Sequence, residues 1–452
     1  MRAGRKRIIV IGGGASGTLI TYHLLRSQRA DASVTIIESA SQLGFGLAYS
    51  TRDPGHLLNV RNANMSALSD DPGHFRRWLA RDRGVSQDAV EPEGFASRQA
   101  YGRYIASLID DVRARHTGDG GFEVKRGVCI GLWESPEGVR VRLADGRNVQ
   151  GDLAIIATGH DPDRAPNLTD PWRSNPEATD SRTDPIIVLG SGLTMVDYVW
   201  TVLAHGHTGP IHVLSRRGLL PSVHQAVHAR SYDVRDLPAT ESLAELLGWV
   251  RTQAGSDWRS VIDGLRPHTQ AIWQRLSNEN RSRFLRHARP WWDVHRHRMA
   301  PDIAKIIYGA ISAGQIRLHA AKVSTVEQDD QGYRVKFRPR GQTRLEQLHA
   351  ARVVDCTGLP TDPIKSRNPL TSHLLATSLA RLDPLGLGLE FGHDCALVAA
   401  DGTPSRRIFG IGPVTRPQFW EIIAIPDIRN QCAALADKLS LDTRTRTQRT
   451  AA

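Results

Sequence analysis

The stretch Ile8-Ile9-Val10-Ile11-Gly12-Gly13-Gly14-Ala15-Ser16-Gly17 decides the fold. Four apolar residues read as a buried strand, and Gly12, Gly14 and Gly17 follow at the spacing of a dinucleotide fingerprint. In such a turn the first glycine permits the bend and the second lets the backbone approach a pyrophosphate. The third lets the next helix settle on the sheet. Free N–H groups at the helix start, those of Ala15 and Ser16 among them, are then available to the anion. A second strand, Ser33 to Ile37, ends in Glu38, about 20 positions past the last glycine, where a ribose-binding carboxylate is expected.

The pattern occurs twice. Ile186-Ile187-Val188-Leu189 leads into Gly190-Ser191-Gly192-Leu193-Thr194-Met195, with Met195 in place of the third glycine. That exchange predicts looser helix packing, with Gly190, Gly192 and Thr194 still forming a phosphate turn. The next strand, Ile211 to Leu214, runs into Ser215-Arg216-Arg217 and not into an acid. A guanidinium fork suits a 2′-phosphate, so the second site is expected to take NADPH. Each copy continues into alternating strand runs and closes on a Thr-Gly turn, Thr158-Gly159 and Thr357-Gly358.

The expected fold class is therefore α/β, with two Rossmann-like dinucleotide-binding domains that each carry a β-meander. The first domain is expected at 1–165 and the second at 185–350, with a helical insert at 218–301 that the first lacks. Residues 351–440 are expected to return to the first domain, and the polar stretch 441–452 to be a disordered tail.

Bulk properties narrow the function. A chain of 452 residues with 40% apolar and 23% charged content is a globular protein of two or three domains. No run approaches the length of a membrane span, and the basic opening Met1 to Arg7 is followed by too short an apolar run for a signal peptide, so a cytoplasmic setting is expected. Cys129, Cys356, Cys395 and Cys432 are scattered, which argues against a dithiol redox centre and a structural zinc. No metal is expected, because His295 and His297 stand two apart among arginines. The net charge is +11, and the densest basic run, Arg281 to Arg298, is read as a solvated or cofactor-facing helix; no nucleic-acid module accompanies it.

The sequence resembles the two-dinucleotide-binding-domain flavoproteins, FAD first and NADPH second, and within them the FAD–NAD(P)-binding proteins. The resemblance rests on Gly44-Phe45-Gly46-Leu47-Ala48-Tyr49-Ser50-Thr51, on His56-Leu57-Leu58-Asn59-Val60 through Met65-Ser66, and on Gly190 to Asp197. It rests also on Trp292 to Pro301, on Phe419-Trp420-Glu421 and on Pro426-Asp427-Ile428-Arg429. A narrower resemblance, to N-hydroxylating flavin monooxygenases, is carried by Asp152-Leu153-Ala154-Ile155-Ile156-Ala157-Thr158-Gly159-His160. These imply FAD and NADPH as cofactors, with Gly46, Met65 and Ser66 beside the flavin. The usual C-terminal Gly-Asp is absent, and Ile411-Gly412-Pro413 stands in its place.

The loop His56 to Ser66 is dense in small polar groups, so Asn59 is read as a donor toward the flavin and His56 as an acid or base. The leading expectation is an NADPH-dependent FAD monooxygenase that forms a flavin hydroperoxide and oxygenates a small nucleophile such as an amine. A second is an NADPH-dependent reductase passing electrons to a quinone, small oxidant or protein. A third is a non-catalytic flavin-binding partner or sensor, with Arg281 to Arg298 as its docking surface.

Overall fold

In the computed structural model the described residues are 5–26, 32–116, 120–159, 168–172, 181–358 and 368–450, the stretch 441–450 as backbone. His160 and most of the segment between the two halves lie outside them.

The first sheet is built on Lys6–Ile11. It pairs in parallel with Ala32–Glu38 on one side and Leu153–Ile156 on the other. Phe122–Arg126 extends it beyond Ala32–Glu38, and Pro404–Gly410 adds in parallel beyond Leu153–Ile156. The C-terminal part of the chain thus supplies a strand to the N-terminal sheet. The unbroken apolar run in Lys6–Ile11 follows from burial on both faces. Ile8 and Val10 face the helices Ala15–Leu25 and Arg98–Arg115, whereas Ile9 and Ile11 face the three-stranded meander formed by Cys129–Ser135, Gly138–Leu143 and Asn148–Gly151.

The second sheet repeats this plan around Ile186–Leu189, which pairs in parallel with Ile211–Ser215 and Arg352–Asp355. Here the meander is continuous with the parallel sheet. A single strand, Ile316–Asp329, pairs with Ile211–Ser215 through its first residues and then antiparallel with Gly332–Pro339. Met195 is fully buried beside Val199, Ile303 and Ile307, so a side chain fills the place where the first domain uses Gly17.

Residues 218–301 hold short helices, including Leu243–Ala254, Trp258–Leu265 and Arg289–Arg296. The last helix, Ile425–Thr450, runs through the stretch read as a disordered tail. Its first half packs Ile428, Cys432, Leu435 and Leu439 into the core, and once a helix is nucleated each further residue adds at little cost. Polar composition alone concealed that. Among the described residues no helix is long and apolar enough to cross a membrane.

Candidate functional site

The two glycine turns have the same geometry. Gly12 has φ +105°, and a β-carbon on it would lie 2.5 Å from the Ala157 carbonyl oxygen and 3.1 Å from the Thr158 Cα. Gly190 has φ +96°, and its β-carbon would lie 2.4 Å from the Cys356 oxygen and 3.0 Å from the Thr357 Cα. Each glycine is therefore pressed onto the closing Thr-Gly turn of its own domain, where only glycine fits. Gly159 and Gly358 open onto free space at these two turns. The residues suit a bound dinucleotide at both places, because backbone is brought to a strand end and a helix start with no side chain in the way.

Glu38 ends its strand at the first turn. Its carboxylate accepts from the Gly13 N–H at 2.6 Å and the Ala40 N–H at 2.8 Å. Gly46, with φ +52°, stands against Gly14, where a β-carbon would meet its Cα at 3.3 Å. These contacts gather Gly12, Gly14, Glu38 and Gly46 at the start of the helix that begins with Ala15, Ser16 and Gly17. The C-terminal return adds Gly412, φ +73°, whose β-carbon would lie 2.3 Å from Ser16 Oγ. Its N–H donates to Gln431 Oε1 at 2.8 Å. Gln431 was not singled out in the sequence, because its link to the fingerprint spans most of the chain.

At the second turn Ser215 is engaged within the protein. It accepts from Ser191 Oγ at 2.9 Å and from the Gly218 N–H at 3.0 Å. Arg217 stacks over Trp291 at 6.0 Å and reaches the His287 carbonyl at 3.4 Å. Arg216 is exposed and has no ion pair to the described residues. Gly192 is open to solvent, and Thr194 lies half-buried at the helix start.

Of the candidates in the loop 56–66, His56, Met65 and Ser66 have side chains that are buried or engaged within the protein, and Asn59 does not. His56 is buried, with Nδ1 2.7 Å from Thr51 Oγ1 and Nε2 2.7 Å from Thr201 Oγ1. Thr201 donates to Asp53 Oδ2 at 2.6 Å. With both ring nitrogens engaged, His56 ties the first domain to the helix Leu193–Ala204 of the second and has no free position for a ligand proton. Arg98 and Asp197 add an ion pair at 2.9 Å across the same joint. Met65 is a core side chain, and the Ser66 hydroxyl donates to the Asp71 carbonyl at 2.6 Å, so neither side chain faces a crevice. Asn59 accepts from His224 Nε2 at 3.0 Å through its backbone oxygen, which leaves its side-chain amide without a partner among the described residues.

The insert and the C-terminal return form a third wall. Glu421 has φ +68°, and its buried carboxylate accepts from Trp292 Nε1 at 2.9 Å. Arg296 Nε lies 2.9 Å from it and His297 Nε2 3.3 Å. Burial alone would raise this carboxyl, but Arg296 and His297 outweigh it and hold the group well below the usual range. Two of the sequence stretches that carried the family resemblance thus meet in space. Asp293, His297 and Glu421 bring ligand atoms within 4.8 Å of one another. Arg289 and Arg296 neutralise the two carboxylates, which argues against a cation.

The basic run 281–298 is divided: Arg283 and Arg286 are exposed, whereas Arg281 and Arg298 are drawn inward. Arg298 is 1% exposed and forks onto Asp263 at 2.7 and 3.1 Å. Arg281 donates to the Trp273 and Gln274 carbonyls at 2.9 Å. A docking surface built on this run loses those groups. All four cysteines are buried free thiols, and burial pushes Cys129 and Cys395 up to about 12. Neither thiol is an available nucleophile.

Two fused parallel-sheet domains, each with a glycine cradle, give this chain the fold of the two-dinucleotide-binding-domain flavoproteins. Residues 9–161 match the family described as FAD-NAD(P)-binding, so the N-terminal unit is a domain of that kind. Over nearly its whole length the chain is similar in fold to L-lysine 6-monooxygenase from Pseudomonas syringae. The TM-score is 0.64 at 16% identity, covering 97% of this chain and 99% of that one. DfoA bound to FAD, the cadaverine monooxygenase of the desferrioxamine pathway in Erwinia amylovora, gives 0.63 at 10% identity over 96% and 94%. In sequence, the uncharacterized protein YdhS of Escherichia coli is 24% identical over 223 residues. That alignment covers 44% of this chain and 40% of YdhS.

Proposed function

We propose that this protein is an NADPH-dependent FAD monooxygenase that oxygenates a small nucleophile such as an amine. The carrying observation is the pair of matched glycine cradles in one chain, the first with Glu38 and the second with Arg216 and Arg217 at the corresponding strand end. A carboxylate there suits ribose hydroxyls, and a guanidinium suits a 2′-phosphate. When bound, the flavin supplies the two-electron relay and the activation of oxygen.

The protein's own residues bind and align. Gly12, Gly14 and the N–H groups of Ala15 and Ser16 hold one pyrophosphate, and Gly190, Gly192 and Thr194 the other. The Asn59 amide is offered as a donor at the flavin, and the His56 joint keeps the two domains in one orientation. The buried thiols favour this reading over a disulfide reductase. They also fit a cytoplasmic setting. The choice of an amine rests on the printed names of the lysine and cadaverine monooxygenases that share the fold.

The test is to supply the FAD-loaded chain with NADPH and oxygen and to assay hydroxylamine formation from a panel that includes L-lysine and cadaverine. Product formed in step with NADPH consumption supports the proposal. Consumption that a quinone accelerates, with no amine oxidised, assigns a reductase instead. No NADPH oxidation with tight FAD retention assigns a binding role.

A further inference from the structure

The wall between insert and C-terminal return carries more positive charge than it neutralises. Arg266, Arg289, Arg296, Arg416 and Arg429 gather around Asp293, Glu421 and Asp427. Arg296 is 2.9 Å from Glu421, Arg289 is 3.3 Å from Asp293, and Arg266 is 3.8 Å from Asp427. Arg416 has no ion pair or hydrogen bond from its side chain to the described residues. Its guanidinium lies 4.7 Å over the Trp420 ring, and Arg289 lies 5.8 Å over the same ring. Trp420 is 5% exposed, is stacked on Trp273 at 4.6 Å, and its Nε1–H has no acceptor among the described residues. Two like charges therefore share one indole beside a buried, unsatisfied donor.

Such an arrangement is costly without an anion, since an unpaired, half-buried guanidinium loses hydration and gains little from an aromatic face. Burial and the neighbouring Arg289 push Arg416 down to about 10. The direction reflects burial first and the second guanidinium next, against the pull of Asp293 and Glu421. Arg416 follows at the end of the turn Gly412–Thr415, and Gly412 touches Ser16 at the first fingerprint. Along the chain Arg416 thus follows one turn after Gly412, which touches the first dinucleotide cradle.

We propose that Arg416, with Arg289 and Trp420, forms a binding site for an oxyanion, a carboxylate or phosphate, beside the first cradle. A planar guanidinium recognises such a group through paired N–H bonds, and Arg289 adds a second charge. Where the proposed function holds, a separate anion here makes the substrate an acid as well as a nucleophile. The alternative source of the same chemistry is the phosphate of the bound cofactor. The site itself does not depend on turnover.

The experiment is calorimetric titration of the FAD-loaded full chain and of the flavin-stripped chain with glutarate and with inorganic phosphate, using glutaramide as the uncharged control. It is repeated with Arg416→Gln and with Arg289→Gln, which sits nearer the surface and is the variant less prone to misfold. Saturable anion binding to the FAD-loaded chain, weakened at least tenfold in both variants and absent for glutaramide, establishes a site for a separate anion. Anion binding to the stripped chain alone, with FAD retained at least tenfold less tightly by the variants, establishes the site as the cofactor's. Binding and FAD retention unchanged in both folded variants overturn the proposal. Because no step reads oxygenation, failure here is distinct from failure of the monooxygenase reading.

Discussion

Gly17 stands so close to Gly12 that a β-carbon on it would lie 1.8 Å from the Gly12 carbonyl oxygen. The first fingerprint helix is thereby pressed onto its own turn. At the matching position of the second domain Met195 is fully buried instead. The two cradles share the first glycine's geometry and differ in how the helix is supported.

Substitution should separate the two modes. Gly17→Ala forces the helix off its turn and is expected to cost about 1–3 kcal/mol, with FAD retention falling alongside. Met195→Ala leaves a cavity and is expected to cost about 2–5 kcal/mol with FAD retention preserved. Chemical denaturation together with flavin content after gel filtration checks both.

Thr201→Val tests the joint between domains. It removes the hydroxyl that meets His56 and donates to Asp53 while keeping the shape. Leaving these buried partners unsatisfied is expected to cost about 1–3 kcal/mol. Faster amide exchange over 51–56, with FAD retained, would accompany it. Unchanged stability and exchange would remove His56 from the joint and return it to the candidates for acid–base work.

Arg216 is exposed and unpaired, so Arg216→Ala should act on ligand choice and not on stability. Loss of one charge-assisted hydrogen bond, about 1.5–3 kcal/mol, should weaken NADP⁺ by roughly ten- to a hundredfold and leave NAD⁺ unaffected. Equal losses for both nucleotides would argue against a 2′-phosphate contact.

Acid stability follows from the buried histidines. Burial lowers His23, His212 and His224 to about 4 from 6.5. Between these values the unfolded chain binds more protons, so stability should fall as pH drops from about 6.5 toward 4. Asp293 and Asp427, which burial raises, work in the opposite direction by taking up protons in the folded state. Equilibrium unfolding across that range should report a net uptake of protons on unfolding, to which His74, His207 and His319, also lowered by burial, contribute. A flat profile would contradict the buried, neutral histidines.

The glycine turns, both strand runs and Glu38 were legible because their determinants are local: a φ value, a face of a strand and a residue at a strand end. The joint was not. His56 and Thr201 are 145 positions apart, and nothing near His56 distinguishes a tie from a proton donor. Met65 and Ser66 share a loop with Asn59, yet their side chains are turned into the protein. The contact of Trp292 with Glu421 spans 129 positions, and only the family resemblance marked both ends. The stretch 441–450 reads as a disordered tail because the support for its helix lies in the buried residues before it.

On the proposed function one chain holds two dinucleotides and passes electrons between them. Anaerobic mixing of the FAD-loaded protein with NADPH, followed by flavin absorbance, tests it most directly. Bleaching of the oxidised flavin by NADPH, faster than by NADH, is the predicted result. A flavin that stays oxidised under saturating NADPH would contradict the account.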